Sequence, residues 1–204
     1  MRAVIISGGR ISDYEFIKAQ IKDSDTIICA DSGYNHAVKM NLQVSAVVGD
    51  FDSIGIIPDD IPTMRSPAKK DFTDTELAIE YARAEGFRDF LLLAALGSRT
   101  DHSLANILLM KEIADRGENA MIVDEHNKIM MTNSALSFSE PKASIVSLIP
   151  LSDCYGVSTE NLEYSLHNAA LLMGKGLGVS NIMAADHACV SVQKGLLLVI
   201  VARD

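Results

Sequence analysis

The chain has 204 residues, 48% of them hydrophobic and 22% charged, which is the composition of a folded globular protein of one or two domains. Eighteen basic residues stand against 27 acidic ones, a net charge of −9, which excludes a general nucleic-acid binder or a protein of anionic membrane surfaces. There is no Trp, aromatic content is 5%, and no apolar run reaches the roughly 18 residues that span a bilayer.

The predicted elements begin with Ala3–Ser7, a short apolar run broken by Gly8-Gly9 that reads as a first strand and not as a signal peptide. Asp13–Ile21 has helical spacing through Phe16, Ile17 and Ile21. Thr26–Ala30 is a second buried strand with Cys29 as a small core residue, and Asp31-Ser32-Gly33 follows at once. Tyr34–Met40 predicts a short helix. Ser45–Val48 is a third strand that runs into Gly49-Asp50-Phe51-Asp52-Ser53. Pro58, Pro62 and Pro67 mark a loop, with a short extended piece at Thr63–Arg65. Thr73 and Glu76 have capping-box spacing, and Leu77, Ala78, Tyr81 and Ala82 share a helix face that Gly86 ends. Asp89–Ala95 is a strand, and Gly97–His102 a polar turn. Asp101–Arg116 is a helix expected to bury Leu104, Ile107 and Leu108, and Ala120–Val123 is a further strand. Strand and helix thus alternate, the pattern of a mostly parallel α/β sheet.

Beyond Asn127 the texture changes. Short apolar runs at Ile129–Met131, Ala143–Ile149, Gly156–Leu162, Ala170–Met173, Ala188–Gln193 and Leu196–Val201 alternate with turn residues. The expected organisation is an α/β domain over residues 1–126 and a smaller all-β sandwich or barrel over 127–204. Cys29, Cys154 and Cys189 are odd in number, far apart and without a CxxC pair. A thiolate metal site is therefore disfavoured and a reducing cytoplasm expected.

The polar clusters fall at the carboxyl ends of the predicted parallel strands, where open α/β sheets bind ligands. In an extended chain Asp50 and Asp52 project to one side and Phe51 to the core. Two carboxylates about 4 Å apart repel by roughly 4 kcal/mol at an effective dielectric near 20. A divalent cation such as Mg²⁺ removes that cost and accepts phosphate oxygens as further ligands; a solvated acidic turn is the bland alternative. Asp71 and Asp74 lie at a helix start beside Lys70, which suits a phosphate as a point charge. Arg99 offers a forked donor, and His102 and Asn106, four apart, share a face. No GxGxxG, Walker or GxSxG pattern occurs.

In this order, Ser7-Gly8-Gly9, Ala30-Asp31-Ser32-Gly33, Gly49-Asp50-Phe51-Asp52-Ser53, Lys70-Asp71-Phe72-Thr73-Asp74 and Gly97–His102 with Asn106 resemble the thiamine pyrophosphokinase family. Asn161–Leu166 and Gly178–Asn181 resemble its later strand and turn motifs. The resemblance implies a homodimer with shared active sites that moves the pyrophosphoryl group of ATP to thiamine and releases AMP. It implies Asp50, Asp52 and Asp74 as Mg²⁺ ligands. Asp31, Lys70, Asp71, Arg99 and His102 would hold ATP, and Asp101, Asn106, Ser180 and Asn181 would border thiamine. Asp52, Asp71, Asp74 and Arg99 are its implied catalytic residues, with the general base open among the three aspartates. Ser98 and Ile182 stand where the family pattern has a glycine and an acidic residue. With no Trp to stack on thiamine, Met183 or Leu177 covers the ring or the acceptor differs. A diphosphokinase for another small alcohol, such as a hydroxymethyl pterin, and a non-catalytic nucleotide or thiamine binder are the alternatives.

Overall fold

The computed structural model describes residues 1–54, 57, 59–65 and 72–203. It divides into two compact units, one of Met1–Leu109 with Glu118–Glu125, the other of Met110–Gly117 with His126–Asp204.

In the first unit the elements in chain order are β1 (Ala3–Ile6), α1 (Tyr14–Ala19), β2 (Thr26–Ala30), α2 (Gly33–Lys39), β3 (Ala46–Gly49), β4 (Thr63–Arg65), α3 (Asp74–Ala84), β5 (Asp89–Leu93), α4 (Thr100–Asp115, which continues beyond this unit) and β6 (Asn119–Val123). Their sheet order is β6-β5-β1-β2-β3-β4, and every pairing is parallel. β1 and β3 are buried at every position, as strands covered on both faces must be. The core gathers Val4, Ile6, Ile17, Cys29, Val47, Leu91 and Leu93. Burial pushes the Cys29 thiol up to about 12, so it is an inert packing residue. The strand order reverses at β1, between β2 on one side and β5 on the other, which opens a crevice at the carboxyl edge.

Local signals set the helix starts. Asp13 caps α1 by accepting from the Phe16 N–H at 2.9 Å. Thr73 and Glu76 form the expected capping box on α3. α4 departs from expectation: Leu104 and Leu108 are 52% and 48% exposed, and Ile107 is half-buried. The buried residues are Asn106, Met110 and Ile113, spaced i, i+4, i+7. The Asn106 side-chain amide donates to the Ala95 carbonyl at 2.7 Å, so a polar anchor and not the leucine pair sets the helix rotation.

The second unit holds β7 (Asn127–Thr132), β8 (Ala135–Ser139), β9 (Ile145–Pro150), β10 (Cys154–Glu160), β11 (Ala169–Leu171), β12 (Asn181–Ile182), β13 (His187–Ser191) and β14 (Leu197–Ala202). They form two antiparallel sets, β12-β9-β14-β7 and β11-β10-β13-β8. Burial alternates along β9 and β13, the mark of sheets with one covered face. An α/β sheet followed by a smaller all-β sandwich is therefore the fold class. The sequence pattern did not pick out β8 and β12: only Phe138 of β8 is buried, and β12 has two residues.

Candidate active site

The site in the first unit is built from chain reversals at strand ends. β2 stops at Ala30, and Asp31 turns the chain with φ 44°. Its N–H donates to the Val48 carbonyl at 2.8 Å, which brings the end of β2 beside the end of β3. Gly49 (φ 153°) makes this approach possible, because a β-carbon there would lie 3.1 Å from the Asp31 β-carbon.

The next residues are not an extended strand. Phe51 has φ 68°, so the chain bends between the two aspartates and the extended-chain reasoning fails at this point. The bend still puts both carboxylates together. The Asp52 N–H donates to Asp50 Oδ1 at 3.2 Å, and the Ser53 hydroxyl donates to Asp52 Oδ1 at 2.7 Å. Phe51 packs against the core as expected, with the Arg65 guanidinium 5.5 Å from its ring centroid. The Asn35 side chain reaches the Ser53 carbonyl at 3.3 Å and ties the loop to α2.

Asp31, Asp50 and Asp52 each offer a carboxylate oxygen within 4.8 Å of the others. Asp31 Oδ1 is buried and has no hydrogen-bond partner among the described residues. An orphaned buried acceptor costs about 1–3 kcal/mol, and crowded carboxylates add mutual repulsion. A hard cation among the three carboxylates offsets their repulsion, and carboxylate oxygens are the donors it takes, so the donor set fits Mg²⁺. The resemblance alone pointed to Asp50, Asp52 and Asp74. Asp74 is outside this close trio and stands at the first turn of α3, on the wall of the neighbouring cavity.

That cavity has a volume of about 590 Å³ and shares Asp31 with the acidic trio. The β1 end contributes Ser7, Gly8, Gly9 and Arg10, the α3 start contributes Thr73, Asp74 and Thr75, and the β5 end leads through Ala94–Arg99 to His102, Ser103 and Asn106 on α4. The Ser7 and Thr75 hydroxyls, both buried, lie 2.9 Å apart and join β1 to α3.

Arg99 and Asp101 form an exposed ion pair at 2.5 Å. The hydrogen bond from Arg99 holds the Asp101 carboxyl down at about 2, and the same contact raises Arg99. Both groups are therefore charged at every working pH. Their exposure leaves the guanidinium able to exchange Asp101 for a phosphate. His102 and Asn106, one helical turn apart, both line the cavity. Lys70 and Asp71 lie outside the described residues.

In the second unit, Ser180 and Asn181 line a separate groove of about 270 Å³ with Tyr164, Leu166, Leu177 and Val179. Asn181 is buried, and its amide makes three hydrogen bonds: Oδ1 accepts from the N–H groups of Tyr164 and Ile182, and Nδ2 donates to the Tyr164 carbonyl. It shapes the groove by fixing Tyr164. Met183 is completely buried and unable to cover a ligand ring, whereas Leu177 is 60% and Tyr164 66% exposed.

Among the cavity and groove residues not singled out from the sequence are Arg10, Tyr164 and His36. Arg10 directly follows Gly8-Gly9, which was a usable signal. Tyr164 was visible as the aromatic of the Asn161–Leu166 motif. His36 lacks any ligand spacing and reaches the cavity only through the fold.

The catalytic-domain model of thiamin pyrophosphokinase matches residues 17–123, and that enzyme's vitamin B1 binding domain model matches residues 133–197. The thiamine pyrophosphokinase of Bacillus subtilis (strain 168) is 30% identical over 166 residues, 76% of this chain and 77% of the relative. A crystal structure of thiamine pyrophosphokinase from Bacillus subtilis superposes with a TM-score of 0.90 at 22% identity, covering all of both chains. A thiamin pyrophosphokinase family protein from Enterococcus faecalis gives 0.85 at 25% identity, again over all of both chains. Both units of the fold are matched, and the matched segments hold the acidic trio and the groove alike; this chain belongs to the thiamin pyrophosphokinase family.

Proposed function

We propose that the protein is a thiamine diphosphokinase that uses ATP and Mg²⁺. The hydroxyl oxygen of thiamine attacks the β-phosphorus of ATP, the bond from that phosphorus to the α,β-bridging oxygen breaks, and AMP leaves. The observation that carries this reading is the convergence of Asp31, Asp50 and Asp52 within 4.8 Å beside a cavity at the switch point of a parallel sheet. About 590 Å³ is a volume suited to a nucleotide.

Asp31, Asp50 and Asp52 would hold the cation, which when bound neutralises phosphate charge. Asp74, on the cavity wall, remains a candidate for the same role. The rest is work for the chain itself. Arg10 and Arg99 bring positive charge to a cavity in a chain of net charge −9. Phosphoryl-type transfer needs such positioning and charge compensation more than covalent help. A carboxylate among Asp52, Asp71 and Asp74 takes the hydroxyl proton, and Lys70 joins the phosphate contacts. Thiamine is a cation, so an acidic site attracts it. Asp101, His102 and Asn106 in the first unit, and Tyr164, Leu177 and Ser180 in the second, are the proposed contacts to substrates. The active protein is a homodimer; the exposed Leu104 and Leu108, one turn apart on α4, support an apolar contact. Its place is the cytoplasm, in keeping with three free thiols. Among the described residues no helix is long and apolar enough to cross a membrane.

The test is acceptor profiling. Purified protein receives ATP and Mg²⁺ with thiamine, with a hydroxymethyl pterin, or with no acceptor. AMP formed only with thiamine supports the proposal. AMP formed with the pterin alone, or phosphate released without an acceptor, contradicts it.

A further inference from the structure

We propose that His36 is a positioning residue for the nucleotide: it fixes the Gly9–Arg10 peptide so that the Arg10 amide N–H is presented to an oxygen of the bound nucleotide. This rests on the nucleotide reading of the cavity given above.

His36 lies on α2, and its ring reaches the cavity wall. Nε2 is 2.8 Å from the Gly9 carbonyl oxygen, and Nδ1 is 2.8 Å from the Tyr14 hydroxyl. A carbonyl oxygen only accepts, so Nε2 carries the proton. Burial pushes the imidazole pKa down and nearby Lys39 pushes it further, against an upward pull from the Gly9 carbonyl. The ring is thus neutral, and Nδ1 accepts from the Tyr14 O–H. Lys39 Nζ approaches the Tyr14 oxygen from outside at 3.4 Å and its ring centroid at 5.5 Å. The hydrogen bonds therefore run in one direction, from Lys39 through Tyr14 and His36 to Gly9. Among the described residues, Tyr14, Lys39 and Gly9 are the groups that these contacts bring to the ring.

The receiving backbone has little freedom. The Gly9 N–H donates to the Ala94 carbonyl at 2.8 Å. A β-carbon on Gly9 would meet the carbonyl oxygens of Leu96 and Ala94 at 2.2 and 2.3 Å, so this strand-end crossing admits only glycine. Peptide planarity carries the constraint one residue further. With no cis peptide bond among the described residues, holding the Gly9 C=O toward His36 turns the Arg10 N–H to the opposite side. There the Arg10 nitrogen lies 3.5 Å from the position a β-carbon on Gly97 would take, and Gly97 is a wall of the cavity. The Arg10 amide has no hydrogen-bond partner among the described residues. A backbone donor on the cavity wall, with its direction set from behind, is the means by which loops bind phosphate oxygens.

The experiment compares His36→Leu, His36→Gln and Tyr14→Phe with the wild type. It reads KM for ATP, kcat, and calorimetric binding of a non-hydrolysable ATP analogue in Mg²⁺. His36→Leu is expected to raise KM and the analogue Kd about tenfold with kcat within about twofold, the effect of losing one buried hydrogen bond. His36→Gln places an amide donor at similar reach and is expected to restore most of the affinity. Tyr14→Phe, which keeps the Gly9 bond but frees Nδ1, is expected to weaken binding about threefold and serves if His36→Leu does not fold. Unchanged analogue affinity in the folded His36→Leu or Tyr14→Phe variant overturns the inference. So does a fall in kcat at constant KM, or a His36→Gln variant as weak as His36→Leu. Wild-type protein that fails to bind the analogue overturns the nucleotide reading itself.

Discussion

The Asp31 N–H bonds to the Val48 carbonyl at 2.8 Å, and this contact makes a residue of the second strand a neighbour of the acidic loop after the third. Sequence separation hides the relationship: Asp31 is nineteen positions from Asp50, yet each offers a carboxylate oxygen within 4.8 Å of the other and of one from Asp52.

Replacing any of these aspartates by asparagine separates charge from shape. Asp52→Asn is expected to lower AMP formation by on the order of 100-fold or more, with an unchanged circular dichroism spectrum. Without metal the same variant is expected to melt higher than the wild type, because one repulsive charge has gone. A metal-free Tm that falls, or turnover within a few-fold of wild type, would count against a shared cation site.

Mg²⁺ itself is expected to raise the Tm of the wild type. Saturation at about 100 times Kd corresponds to roughly 2.7 kcal/mol of stabilisation. Thermal scans with Mg²⁺ and with excess chelator check this, and Asp31→Asn is expected to lose most of the difference.

Glu125 gives a pH prediction. Burial pulls its carboxyl up, but hydrogen bonds from the backbone N–H groups of Asp13 and Ser12 and from the Ser12 hydroxyl outweigh this and hold it below its ordinary 4.5. A depressed folded-state value means that the unfolded chain binds the proton more readily. The stabilisation is therefore complete above pH 4.5 and is lost as pH falls through the lower folded-state value. Glu125→Gln is expected to lose about 1 kcal/mol at neutral pH and to flatten the acid limb of stability measured by urea unfolding. A wild-type acid limb retained in the variant would contradict the assignment.

The rotation of α4 predicts opposite outcomes on its two faces. Met110→Ala, at a buried position, is expected to cost about 2–5 kcal/mol. In the dissociated chain, Leu104→Gln is expected to change stability by less than about 0.5 kcal/mol. Leu108→Glu is expected to reduce dimer content in light scattering if this surface carries the contact. Urea titrations that rank Leu104 above Met110 would restore the leucine-inward helix.

Much of this was legible in the sequence for physical reasons. Fully buried parallel strands such as Ala3–Ile6 need continuous apolar runs, and the Thr73–Glu76 capping box declares where α3 begins. Asp31, Asp50, Asp74 and Arg99 stood out because strand ends are where such a sheet leaves polar backbone open. What sequence missed was geometry fixed by distant contacts. The bend at Phe51 is a left-handed residue that no local pattern announces. The burial of Asn106 in place of Leu104 depends on the Ala95 carbonyl eleven residues earlier. Met183 looked available for ligand contact, but its backbone N–H and carbonyl pair with Ser144 and Ala143 and its side chain is buried.

In the proposed site, Asp31, Asp50 and Asp52 together grip one divalent ion. Mn²⁺ titration followed by electron paramagnetic resonance, with ATP absent, measures this directly. One site is expected in the wild type, weakened at least about tenfold by asparagine at each of the three positions. Equal Mn²⁺ binding by the wild type and all three variants would contradict it.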